Sequence, residues 1–396
     1  MTNIKNSVLA VAMAVLIAGL TGCDRLLNII SDGDMPRLDG EIPQFEGLHG
    51  EISIGVVYPS PVGKFEPVRT RLEHGLELAL EEINNAQLGD ARIRLIAEED
   101  SNNVDGAVEA FNKLIHEDGV PAIIGPLTSS QSEAAFPIAQ ENRVVAFSST
   151  SFATGLSALG DYIFRVSLTS DALIPHLVEV THTKLGYQRA AIITDETDLV
   201  SQSGDRAFRD ALSENGVTIV SREGWRPGET DLAAHLTRIK ESDPQVVFIA
   251  TVPNDMPEIM IMGRELGLPF SVPYIVAQVS NDEVHAASGA AEGLFSTSNW
   301  MSTTSTPMNQ AFNRNYHAKF GREPNTWAAQ SYTTLYILAE AIANARTADS
   351  ESIRNALADI RDLDTVLGSF SFDAVGDALY DPTIIVVENG ELKRLE

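Results

Sequence analysis

The chain has 396 residues, 44% hydrophobic and 21% charged, which is long enough for two or three domains with cores of their own. Its 28 Lys and Arg against 55 Asp and Glu leave a formal charge of −27. That balance argues against nucleic acid as a partner and against adhesion to anionic lipid through a basic face, and the single cysteine excludes an internal disulfide and a cysteine-rich metal site.

Residues 1–22 hold one charge, Lys5, and an apolar run from Val8 to Leu20. A membrane-spanning helix needs ~20 apolar residues, so this run has the length of the core of a secretory signal. It ends in Leu20-Thr21-Gly22-Cys23, which resembles a bacterial lipobox. The resemblance implies a signal peptide over 1–22 and a lipidated Cys23 that becomes the first mature residue. Loss of Lys5 then takes the formal charge from −27 to −28. Each buried CH₂ of an acyl chain contributes ~0.8 kcal/mol, so two or three chains anchor the protein to a membrane on its extracytoplasmic face. Asp24 resembles an inner-membrane retention signal. Residues 23–50, with Gly33, Pro36, Gly40, Pro43, Gly47 and Gly50 and no sustained period, read as a flexible tether. Such a tether reaches on the order of 30 Å.

From Glu51 the pattern becomes regular. Ile52–Tyr58 is a β-branched run of strand length, and Val68–Ala86 has helical spacing. Strand signals at 93–97, 122–124 and 144–147 alternate with helical stretches at 104–116 and 130–141. The alternation then restarts: helices over 171–185, 205–214, 232–241 and 256–266, strands over 190–194, 217–221, 246–251 and 274–277. Buried apolar runs alternating with amphipathic helices predict parallel sheets covered on both faces. The last hundred residues add helices at 308–320, 327–345 and 352–359, then short strands at 370–372, 384–387 and 392–395. These are too few for a third α/β unit and would complete the first two. The expected fold is α/β, with two Rossmann-like lobes joined by three crossovers. Lobe 1 is expected over 51–167 plus 300–365, and lobe 2 over 168–299 plus 366–396.

Local signatures of catalysis and of cofactor binding are missing: no GxGxxG after a strand, no P-loop, no GxSxG, no HExxH. His176 and His182 lie six apart, which is not one helix face. The chain is therefore not read as an enzyme, and no cofactor or metal is expected. Two loops do stand out at strand C-termini, where open α/β sheets bind ligands. Gly125–Ser132 offers hydroxyls and free N–H groups at a helix N-terminus, which suits an anion; Ser129 or Ser130 could equally serve as the N-cap. Ser148–Thr154 is dense in hydroxyls and includes Ser149.

Ile123-Ile124-Gly125-Pro126 followed by Ser129-Ser130 and a polar loop some twenty residues on resembles the type I periplasmic binding proteins of the leucine/isoleucine/valine-binding family. Pro59–Gly63, Gly75, Ile83-Asn84, Ala291–Leu294 and Gly368–Asp377 fit the same pattern, over about residues 50–390. The resemblance implies a hinged clamshell, expected as a monomer, that hands a small molecule to the permease subunits of an ABC importer. It implies a ligand carboxylate held by Ser129, with Ser130 and Ser149 beside it, and by the backbone at Thr150 and Phe152. Trp327 and Tyr58 would wall the side-chain pocket. In amino-acid binders of the family the second lobe supplies a tyrosine and an acid; here those regions read Asp195–Leu199 and Ala277-Gln278, which leaves Asp198 and Gln278 as candidates. The ligand is then amino-acid-like, an amide or a carboxylate. A different reading, a sensor or an envelope-regulating lipoprotein such as a peptidoglycan synthase activator, uses the same fold.

Overall fold

The buried apolar runs assemble into two sheets, each fed by helices that cover its faces. The structure is a computed structural model describing residues 47–86, 90–226, 228 and 231–395, all within the unit Asp39–Glu396. The expected signal peptide, Cys23, Asp24 and the tether up to residue 46 lie outside the described residues.

The first sheet holds β1 (His49–Tyr58), β2 (Asp90–Glu99), β3 (Ala122–Ile124), β4 (Val145–Ser148) and β5 (Ile163–Arg165). Its order is β2-β1-β3-β4-β5, parallel throughout. The tether was expected to run to residue 50, but β1 begins at His49, where pairing with Asp90 starts. Helices α1 (Glu66–Asn85), α2 (Val104–His116) and α3 (Ser129–Glu141) connect these strands.

The chain then crosses through α4 (Ser170–Leu185) to a second sheet. It lays down β6 (Arg189–Asp195), α5 (Leu199–Glu214), β7 (Thr218–Trp225), α6 (Leu232–Glu241), β8 (Val246–Ala250), α7 (Met256–Glu265), β9 (Tyr274–Gln278), α8 (Asn281–Ala287) and β10 (Phe295–Ser298). A second crossing returns it to the first lobe with α9 (Pro307–Phe320), α10 (Thr326–Ala345), α11 (Ser350–Ala358) and the antiparallel ribbon β11 (Leu363–Thr365), β12 (Gly368–Phe372) and β13 (Ala378–Leu379). A third crossing brings β14 (Thr383–Glu388) and β15 (Glu391–Arg394) onto the edge of the second sheet, whose order is β15-β14-β10-β9-β8-β6-β7. The fold is thus α/β with parallel central sheets, in which β14 runs antiparallel to β10 and β15 antiparallel to β14.

The expected boundary at 365/366 is corrected. Phe372 packs on Phe147 and Phe164 of the first sheet, with ring centroids 5.8 and 5.1 Å away, and the Arg165 backbone N–H bonds to the Gly376 carbonyl at 3.2 Å. The ribbon therefore belongs to the first lobe, and the chain leaves that lobe only between Leu379 and Thr383.

Helix α10 is buried along most of its length because α1 lies close against it. Gly75 permits that approach: a Cβ there would sit 2.1 Å from Ser331 Oγ and 2.3 Å from the Ala328 carbonyl oxygen. This contact fixes the N-terminus of α10, and with it Trp327, relative to the first sheet.

Candidate functional site

The C-terminal ends of strands from both sheets, together with the start of α10, enclose a cavity of about 210 Å³. The first lobe contributes Phe65, Leu127, Ser129, Thr150, Phe152 and Trp327; the second contributes Asp195, Asp198, Val200, Val252, Pro253 and Asp255.

On the first-lobe side the local sequence explains the geometry. Thr128, not Ser129 or Ser130, is the N-cap of α3: its Oγ accepts the Gln131 N–H at 3.3 Å, and Gln131 Oε1 accepts the Thr128 N–H at 3.1 Å. This reciprocal box leaves the Ser129 hydroxyl for other work. Its oxygen accepts the Ala153 N–H at 3.1 Å, so its own hydrogen remains to be donated. The first N–H groups of any helix lack an intrahelical acceptor, and together they favour an anion. Thr150 donates its hydroxyl to the Leu127 carbonyl at 2.6 Å, tying the two loops together. Arg165, fully buried, clasps the second loop from below. It donates to the carbonyls of Ser151 and Ala153 and pairs with Asp377 at 2.5 Å.

The second-lobe side is acidic. Asp195 ends β6, and its Oδ1 accepts the Thr197 N–H and hydroxyl at 2.7 and 2.6 Å. Asp198 is the N-cap of α5: its Oδ1 accepts the Ser201 N–H and hydroxyl, both at 3.0 Å. Its Oδ2 accepts the Ser130 hydroxyl at 3.1 Å across the two lobes, and Ser130 Oγ in turn accepts the Leu199 N–H at 3.1 Å. Burial pushes the Asp198 carboxyl above the usual range, opposed by those hydrogen bonds. Asp255 lies in the turn that follows β8. Three carboxylates thus line the cavity and, among the described residues, no Lys, Arg or His does. Trp327 is nine-tenths buried and its Nε1 has no hydrogen-bond partner.

Of the residues expected from the sequence, the structure brings Ser129, Thr150, Phe152, Asp198 and Trp327 onto this cavity. Four others are placed elsewhere. Ser130 is occupied by the bridge to Asp198. Ser149 accepts the Thr334 hydroxyl at 2.8 Å and, with Tyr58, borders a smaller internal cavity. The Tyr58 ring is buried beneath Arg69, whose guanidinium carbon is 5.4 Å from its centroid. Gln278 ends β9 fully buried, off the cavity wall, with both amide atoms unpartnered. The sequence reading did not anticipate Asp195 and Asp255 on this cavity. Both sit at or just beyond strand C-termini, the position that had singled out the first-lobe loops.

Residues 51–388 match the family model described as periplasmic binding protein. The Leu/Ile/Val-binding protein BraC3 of Rhizobium johnstonii is 26% identical over 335 residues, covering 83% of this chain and 89% of that protein. The structure of the leucine-binding protein LivK from Thermotoga maritima aligns with a TM-score of 0.81 at 23% identity, over 87% of this chain and 98% of that one. A solute-binding protein of an ABC transporter from Rhodopseudomonas palustris, solved in complex with 3,4-dihydroxybenzoic acid, aligns with a TM-score of 0.78 at 20% identity, over 87% and 96%.

Proposed function

The chain belongs to the periplasmic binding protein family, and from that membership we propose that it is the lipid-anchored solute receptor of an ABC importer, taking an α-amino-acid ligand between its lobes. The observation that carries the ligand class is the polarity of the cavity. Donors converge on the first-lobe wall at Ser129 and the N-terminus of α3, whereas Asp195, Asp198 and Asp255 occupy the second-lobe wall. A ligand with a carboxylate at one end and an ammonium at the other matches both walls, since a buried charge needs a countercharge. Phe65, Phe152 and Trp327 supply the apolar surface for its side chain. A ligand like the dihydroxybenzoate of the Rhodopseudomonas palustris protein would set its carboxylate against the donors and bring no cation to the acidic wall. The ligand class in the name of BraC3 supports the amino-acid reading. The lipobox-like Leu20–Cys23 supports the anchor, and among the described residues no helix is long and apolar enough to cross a membrane.

Isothermal titration of the purified, delipidated protein with the common L-amino acids tests this reading. Binding of at least one is expected, weakened about tenfold or more when the ammonium is deleted or the carboxylate is replaced by hydrogen. A desamino analogue that binds as tightly as its parent would remove the carboxylates from the account.

A further inference from the structure

A side chamber of about 130 Å³ lies against the cavity within the first lobe, and the two spaces share Phe65, Leu127 and Thr128 as a common wall. Asp100, the residue after β2, lines this chamber and is 0% exposed. Its Oδ1 accepts the Asn102 N–H at 2.7 Å. Its Oδ2 and the neighbouring Asn102 Oδ1 are buried with no hydrogen-bond partner. Of the neighbouring amides, Asn102 Nδ2 gives one N–H to the Ser60 carbonyl at 3.2 Å, and Gln131 Nε2 gives one to the Asn103 carbonyl at 3.3 Å. Both unpartnered atoms are acceptors. Among the described residues no Lys, Arg or His lines the chamber.

A buried carboxylate oxygen without a donor is costly, more so than a neutral group. Burial raises the Asp100 carboxyl above its usual range, opposed by hydrogen bonding from the Asn102 backbone, the Gln131 side chain and the Ser60 backbone. Among the described residues the lining of the main cavity adds three more acids and no base. A zwitterion spends its one cation in the main cavity and brings none to Asp100, whereas a ligand with a second cation would. The chamber has room for about four water-sized groups, enough for an ammonium or guanidinium at the end of a side chain that passes the Phe65 ring.

We propose that the ligand carries a second, cationic group seated in this side chamber against Asp100 and Asn102, so that the substrate class is the basic α-amino acids rather than the neutral aliphatic ones. The assignment rests on the amino-acid reading of the main cavity.

Two pairs test it, each titrated calorimetrically into the purified protein: L-lysine against L-norleucine, which lacks the terminal ammonium, and L-arginine against its neutral isostere L-citrulline. The cationic member of at least one pair is expected to bind about tenfold or more tightly than its neutral partner. Asp100→Asn, which keeps the shape and removes the charge, is expected to bring that ratio to within about twofold and to leave norleucine unaffected. Val104 borders the chamber and is 40% exposed, so Val104→Phe narrows the space without touching Asp100 and is expected to erase the same preference. Norleucine and citrulline binding as tightly as their partners would overturn the side-chamber assignment and leave the amino-acid receptor standing. So would leucine binding where all four probes fail. Failure of every α-amino acid would overturn both.

Discussion

Arg165→Ala is expected to lower the free energy of unfolding by roughly 3–5 kcal/mol, the usual consequence of removing one partner from a buried ion pair. The side chain is fully buried, pairs with Asp377 at 2.5 Å and donates to the carbonyls of Ser151 and Ala153. Its loss would strand buried carbonyls and open a void beneath the loop 148–154. It would also cut the tie between that loop and the β12–β13 ribbon, which holds Asp377. The same loop carries Thr150, Phe152 and the Ala153 N–H that orients Ser129, so ligand affinity should fall with stability. Urea denaturation reads the first effect as a lowered midpoint at unchanged m-value, and titration reads the second. Arg165→Lys keeps the charge but not the planar fork, and should fall between the two. A midpoint shift equivalent to less than about 1 kcal/mol would show that the loop is held by its other bonds, among them Thr150 to Leu127 and Ser132 to Ser151 at 2.7 Å.

Ser129→Ala carries the second large expected effect, a loss of affinity between about tenfold and a hundredfold. The estimate follows from the 1.5–3 kcal/mol typical of a hydrogen bond to a charged group. Ser129 Oγ is the hydroxyl of the first-lobe wall whose hydrogen is not already committed, because Thr150 donates its own to Leu127. The substitution also deprives the Ala153 N–H of its acceptor, so some stability is lost as well. Ser129→Thr separates the two effects: it restores the hydroxyl, and recovery of affinity with that variant ties the loss to the group itself. Affinity unchanged in Ser129→Ala would move the carboxylate site away from the N-terminus of α3.

Most of the architecture was legible because strand and helix periods differ and the sheets are buried on both faces. The predicted strand at 122–124 and helices at 104–116 and 232–241 coincide with β3, α2 and α6. The apolar β5 was missed for its shortness, three residues, and part of what else escaped was polar. β10 reads Phe295-Ser296-Thr297-Ser298, with no apolar run, yet it lies inside the second sheet. Its hydroxyls satisfy themselves on carbonyls there, Ser296 to Thr297 at 3.0 Å and Thr297 to Ala277 at 2.5 Å. The start of α5 was missed for a related reason. Leu199–Gly204 is rich in serine and ends in glycine, both poor helix formers, and the cap Asp198 offsets them. Seen as a loop, that stretch made Asp198 look free for a ligand; in the helix it is committed to Ser201 and Ser130.

The candidate site was half legible. Hydroxyl-rich loops at the ends of β3 and β4 announced the first-lobe wall, and a helix-initial tryptophan announced the apolar one. On the second-lobe wall the carboxylates sit in loops that resemble ordinary solvated turns. Asp195 and Asp255 become site residues only when β6 and β8 bring their ends to the same cavity. Tyr58 and Gln278 were expected at the site and lie off this cavity. Each ends a strand at the right level, but Tyr58 turns under Arg69 and Gln278 is enclosed off the cavity wall.

The central claim is that an α-amino acid lies between the lobes with its carboxylate on the first and its ammonium on the second. A crystal structure of the protein with the tightest-binding amino acid tests it most directly. The account predicts density in the 210 Å³ cavity, with the carboxylate within hydrogen-bond reach of Ser129 and the N-terminus of α3 and the ammonium facing Asp195 and Asp255. Density in another cavity, or a ligand with its carboxylate turned toward the three acids, would contradict it.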